Sequence, residues 1–198
     1  LWYAVSNTGG NYPIVKNTDN ITSISVNINV GIEGFWNGTT QVSDTVTAEL
    51  RSSTSPYNTI DSNKTVITSG TGYGSIEFLS APTGSYYIVV KHRNSIETWS
   101  SSAQSFTNGT LYFNFTLANT QAFGNNMINI GGKWSLYVGD VNQDGIVDAS
   151  DVSLVDNDAL SGVSGYAITD LNCDGIVDVS DPSIIDNNST NSVSVITP

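Results

Sequence analysis

Residues 140–151 read DVNQDGIVDASD, and residues 170–181 read DLNCDGIVDVSD. Aligned at an offset of 30, positions 140–159 and 170–189 share twelve identities in twenty. The echo continues at Val163-Ser164 and Val193-Ser194, so the C-terminal third is an internal duplication. Each copy sets Asp, Asn and Asp at alternate positions, follows them with Gly and Ile, and closes on Asp at its twelfth residue. Short oxygen-bearing side chains spaced this way converge on one point. Gly145 and Gly175 stand where the chain must bend sharply and a side chain would obstruct the bend.

This is the spacing of an EF-hand-type calcium loop. The expected ligands of the first loop are Asp140, Asn142, Asp144, the carbonyl of Ile146, Asp148 and Asp151. Those of the second are Asp170, Asn172, Asp174, the carbonyl of Ile176, Asp178 and Asp181. Calcium takes six to eight oxygens, and cages of this kind favour it over magnesium. Val147 and Val177 stand where paired loops cross through a short β-contact. Charge points the same way. Residues 136–198 hold eleven Asp and neither Lys nor Arg, whereas the first 135 residues carry a net charge of only −1. Four carboxylates in each loop repel one another without a cation. Two calcium ions would lower the local excess from −11 to −7.

Working outward, the segment before the duplication changes period. In ITSISVNINV, Ile24, Val26, Ile28 and Val30 share one face, opposite Ser25, Asn27 and Asn29. DTVTAEL and SIEFL alternate likewise, and SYYIVVKHR is a fuller apolar run suited to a central strand. SFTNGTLYFNFTL reads as a hairpin turning at Asn108-Gly109, with alternation from Tyr112 to Leu117. Turn signals at Asn37-Gly38, Thr71-Gly72 and Pro82-Thr83-Gly84 separate the runs. The expected organisation is an N-terminal strand and tether over 1–20, an antiparallel β-sandwich over 21–135 and the calcium module over 136–198.

The paired loops, Asp rather than Glu at the twelfth position and the lack of a regular helix before each loop make 136–198 resemble a type I dockerin module. The resemblance implies a short helix after each loop, over SDVSLVDNDAL and SDPSIIDNN, with Pro182 tolerated in the first turn. It also implies cohesin contact through Ala149-Ser150, Val179-Ser180 and those helices. The helices carry Asp and Asn where cohesin binders present Lys or Arg, so calcium binding carries over better than cohesin recognition. The stretch PTGSYYIVVKHRNSIETWS resembles the turn-and-strand pattern of immunoglobulin-like and transthyretin-like accessory modules of secreted bacterial proteins.

Several functions are disfavoured. No basic patch exists to neutralise phosphates, so nucleic acid is not an expected partner. No apolar run is long enough for a spanning helix. The lone His92 and the lone Cys173 lack partners for nucleophilic catalysis and read as structural, with Cys173 an exposed bystander. Trp2, Trp36, Trp99 and Trp134 suit core packing more than a sugar-stacking platform. The start at Leu1 reads as a processed, secreted form.

The expectation is a non-enzymatic, calcium-binding extracellular or cell-surface protein. It would be a self-associating structural or filament subunit rigidified by two calcium ions, with the N-terminal strand Leu1–Ser6 as a candidate for strand addition. The alternative is a dockerin-type binding appendage for a cohesin-like protein, with the sandwich binding a glycan.

Overall fold

The computed structural model describes residues 23–106 and 109–198 of the chain. The expected N-terminal strand and tether, and Asn108, lie outside the described residues. Ten strands come first: β1 (Ile24–Asn29), β2 (Asp44–Ser52), β3 (Thr59–Ile67), β4 (Tyr73–Phe78), β5 (Gly84–His92), β6 (Ser95–Trp99), β7 (Gln104–Phe106), β8 (Thr110–Asn114), β9 (Ile128–Ile130) and β10 (Lys133–Ser135). Three single 3-10 turns lie between β8 and β9, and two helices follow, α1 (Ala149–Ser161) and α2 (Ser180–Thr190).

The chain is mainly β. One sheet runs β3-β2-β5-β6 with β7 also paired to β5, and the other runs β4-β1-β8. Period-two alternation accounts for the packing between them. Ile24, Val26 and Ile28 of β1 are fully buried, as are Val46, Ala48 and Leu50 of β2 and Ile88 and Val90 of β5. Each such Val, Leu or Ile side chain contributes about 1.5–3 kcal/mol by leaving water. On the outer face of β1, Tyr73 Oη donates to Asn27 at 2.9 Å and Tyr112 Oη donates to Asn29 at 2.7 Å.

Three local expectations are corrected. The sandwich is not wholly antiparallel, because β1 pairs with β8 in parallel. The 104–114 stretch is not a hairpin: β7 pairs with β5 and β8 with β1, so the chain crosses between sheets there. The alternation after Tyr112 also stops early. Asn114 Oδ1 accepts from Thr116 N at 2.9 Å and Thr116 Oγ1 at 2.7 Å, which caps a 3-10 turn over Phe115–Leu117.

The residues after β10 are joined to the sandwich. Leu136 bridges Ile32, and Val138 bridges Ser95. The helix pair buries Val155 and Ile185, with Val141, Val147, Leu171 and Val177 behind them. These residues and the sandwich interior form one continuous apolar cluster.

Glu33 is buried at this junction. Its Oε2 accepts from Val138 N at 3.1 Å and from Asn188 Nδ2 at 2.6 Å. Burial raises its pKa above the ordinary value of 4.5, and the two hydrogen bonds offset only part of that. A carboxyl raised in the folded state loses stability as pH climbs from its unfolded value through its folded one. Glu33→Gln keeps an acceptor for both bonds without the charge. The variant is expected to melt higher than the parent at pH 7, with the advantage vanishing below about pH 4.5. Parallel melting curves across that range would show that Glu33 does not titrate in this way.

Candidate metal centre

The two loops are built alike. Gly145 and Gly175 take φ of 91° and 87°, and Gln143 and Cys173 also adopt left-handed backbone, at 59° and 60°. These turns bring the first, third and fifth residues of each loop together. Asp140 Oδ2 accepts from Gly145 N at 3.2 Å, and Asp170 Oδ2 accepts from Gly175 N at 3.0 Å. Asp144 Oδ1 accepts from Ile146 N at 3.0 Å, and Asp174 Oδ1 accepts from Ile176 N at 2.9 Å. Asn142 Nδ2 donates to Asp144 and Ser150, and Asn172 Nδ2 donates to Asp174 and Ser180.

The twelfth residues close the loops. Asp151 and Asp181 are fully buried. Asp151 accepts from Val141 N at 3.0 Å, Asn142 N at 3.1 Å and Asp148 N at 3.1 Å. Asp181 accepts from Leu171 N at 2.7 Å, Asn172 N at 3.3 Å and Asp178 N at 3.0 Å. The ninth residues face the helices. Asp148 Oδ1 accepts from Ser150 N and Oγ, both at 2.7 Å, and with Asp151 it forms a capping box for α1. Asp178 Oδ1 likewise accepts from Ser180 N at 2.8 Å and from Ser180 Oγ at 2.7 Å.

Among the described residues, no three Asp, Glu, His or Cys side chains already point at one centre. The carboxylates are turned to loop N–H donors, yet each oxygen retains a second lone pair. One buried carboxylate oxygen has no donor. Asp140 Oδ1 is buried without a hydrogen-bond partner. Burial and then the negative charge of Asp151 push the Asp140 pKa up to about 6. An orphaned oxygen, carboxylates held near one another and an all-oxygen donor set fit a hard divalent cation. Asp140, Asn142, Asp144, the Ile146 carbonyl and Asp151 would hold it in the first loop, with Asp148 reaching it through its free oxygen or water. Asp170, Asn172, Asp174, the Ile176 carbonyl, Asp181 and Asp178 are their counterparts. In the second loop the matching oxygen, Asp170 Oδ1, accepts from Cys173 N at 2.7 Å.

The loops do not cross each other through Val147 and Val177. Ile146 instead bridges Ser194, after α2, and Ile176 bridges Ser164, after α1. Val147 N donates to Val193 O at 2.7 Å, and Val177 N donates to Val163 O at 2.9 Å. Each loop is therefore clasped by the exit of the other loop's helix.

No sequence pattern announces the residues that dock this module onto the sandwich. Arg93 sits over the rings of Phe35 and Tyr166, donates to the Ala167 carbonyl and pairs with Asp44 at 3.1 Å. Tyr166 Oη donates to Asp44 at 2.6 Å. Burial alone would raise the Asp44 pKa, but bonds from His92 and Tyr166 outweigh it and hold it well below the usual range.

His92 is buried between Ser95 Oγ at 3.0 Å and Asp44 at 3.2 Å, edge-on to Phe35. Burial lowers its pKa, against the opposing pull of Asp44. Cys173 is half-buried rather than exposed. Trp99 is buried against Tyr57 and Tyr87, whereas Trp36 stacks on Lys133 at the far side. Arg51 and Lys91 are paired with Glu49 and Glu97, which leaves few free cations. No helix among the described residues is long and apolar enough to cross a membrane.

No protein-family model matches the chain, and no curated protein is similar to it. Among solved structures, it is similar to two interface mutants of a type II cohesin-X-dockerin complex from Acetivibrio cellulolyticus. The N-terminal interface mutant is 18% identical and the C-terminal one 16%. Each match covers 84% of this chain and 94% of the other, at a TM-score of 0.46.

Proposed function

We propose that this chain is a non-enzymatic, extracellular, calcium-dependent binding appendage: a dockerin-like module carried on a β-sandwich and recognising a protein partner of cohesin type. The observation that carries this reading is the surface of the helix pair. Leu160 is 88% exposed and Val179 is 83% exposed, and both line a groove between α1 and α2 with Ala159 and Pro182. Large apolar side chains this exposed on a small module mark a contact surface. Asp156 and Asp178 edge the same groove, and the module has no Lys or Arg, so the fitting partner is apolar at its centre and basic at its rim. Calcium would hold the two loops, and with them the helices, in the geometry that presents this groove.

Calorimetry is the first test. The parent should bind two calcium ions, and Asp144→Ala or Asp174→Ala only one; two ions retained in either variant would refute the ligand assignment. A type II cohesin immobilised on a sensor surface is the second test. Binding is expected in calcium and not in chelator, and Leu160→Asp should abolish it with both calcium sites kept. Binding that ignores calcium or Leu160 would point to another face. A chain that stays unbound and instead sediments as an oligomer in calcium would favour self-association.

A further inference from the structure

We infer that Asn94, in the turn between β5 and β6, is the positioning residue for both calcium loops, holding one by its main chain and the other by its side chain. The inference rests on the calcium reading above. Asn94 is fully buried. Its backbone carbonyl accepts from Gly139 N at 2.7 Å, and Gly139 immediately precedes the first ligand of the first loop. Its side-chain Nδ2 donates to the carbonyl of Asp170 at 3.1 Å, and Asp170 is the first ligand of the second loop. A carbonyl accepts only from the amide nitrogen, so this contact fixes which way the side chain points.

The entrances of two loops thirty residues apart thus meet on one residue of the sandwich. Neighbouring contacts keep that residue still. Ile96 N donates to Tyr137 O at 2.9 Å, and Arg93 holds the Ala167 carbonyl. Gly139 fits the same corner only because it lacks a side chain: a Cβ there would lie 2.7 Å from Ile185 and 2.8 Å from Val147. The oxygen of the Asn94 amide, Oδ1, has no partner. A buried polar atom left unsatisfied is unfavourable, and an apolar residue would avoid it. What the amide adds in return is the bond to Asp170. Calcium binding and the sandwich are therefore linked through this turn, because a loop whose entrance is already placed loses less freedom when the ion binds.

The two kinds of contact make the inference separable. Asn94→Asp preserves shape and the backbone carbonyl but sets an oxygen against the Asp170 carbonyl. It should weaken the second site and leave the first nearly untouched. Calcium titration calorimetry of the full chain tests this in two backgrounds. With Asp144→Ala, where the second site remains, adding Asn94→Asp is expected to lower calcium affinity about tenfold. With Asp174→Ala, where the first site remains, it should change affinity less than twofold. Equal losses in both backgrounds would mean general destabilisation, and no loss in either would mean that the bond is idle; both overturn the assignment. If calorimetry shows no calcium bound even by the parent, the calcium reading itself fails, which is a different result. Should the double variants not fold, hydrogen exchange on the parent decides. Calcium is expected to slow exchange at Gly139, Ser95 and Ile96 at least tenfold over chelator, and unchanged exchange there would refute the linkage.

Discussion

Chelating calcium is expected to lower the melting temperature of this protein by roughly 15–30 °C and to strip much of its helical circular-dichroism signal. The size follows from linkage. An ion present at about a thousand times its dissociation constant adds roughly 4 kcal/mol per site, and the proposal has two sites. For a chain of this length each kcal/mol shifts melting by about 2–4 °C. The direction follows from the loops. Asp140 has an orphaned oxygen and a pKa raised by burial and by Asp151, so charge is concentrated where no protein donor meets it. Differential scanning calorimetry in millimolar calcium and then in excess chelator measures the effect. Melting curves that coincide within two degrees would mean that the loops hold no structural cation.

Gly34→Ala is expected to cost at least about 3 kcal/mol, more than most substitutions outside a core. Gly34 takes φ of 77°, and a Cβ there would stand 2.1 Å from the carbonyl oxygen of Leu171. The neighbour is backbone at the entrance of the second loop, pinned by the bond from Leu171 N to Asp181. It cannot turn aside as a side chain would, so the loop must lift off the sandwich. Gly38→Ala is the control. Gly38 takes φ of 95° with nothing within 4 Å of its missing Cβ, so it reports the conformational penalty alone, about 1–2 kcal/mol. Urea unfolding of both variants in calcium makes the comparison. If Gly34→Ala costs no more than Gly38→Ala, the close contact at Leu171 does not hold the two parts together.

What could be read ahead of the structure depended on where the information lies. β1 and β2 were legible because one face is buried and one is solvated, which writes a period of two into the sequence. β3 was not, because most of TIDSNKTVI is exposed and no alternation survives. The exchange of sheets between β7 and β8 was hidden by Asn108-Gly109, a turn signal that says nothing of which strands it joins. The turn geometry of the two loops was the most legible part, since the glycines and short polar side chains that make it are local and were written twice. The docking residues were the least. The side chains of Glu33, Asn94 and Asn188 meet partners 50 to 155 residues away along the chain, and a single polar residue in a strand or turn has no periodic signature.

The crosswise clasp has a mechanical consequence. A pull on Pro198 does not unwind α2 first. The tail is fastened to the first loop by the bond from Val195 N to Gly145 O at 2.9 Å. It is fastened to the sandwich by the bond from Asn126 Nδ2 to Ser194 O at 2.9 Å, and Ile196 lies against Gly124. Tension entering at that end therefore passes into the body of the molecule around the second helix. The first loop acts as the catch, and an ion seated in it would stiffen the catch and raise the force at which the tail lets go.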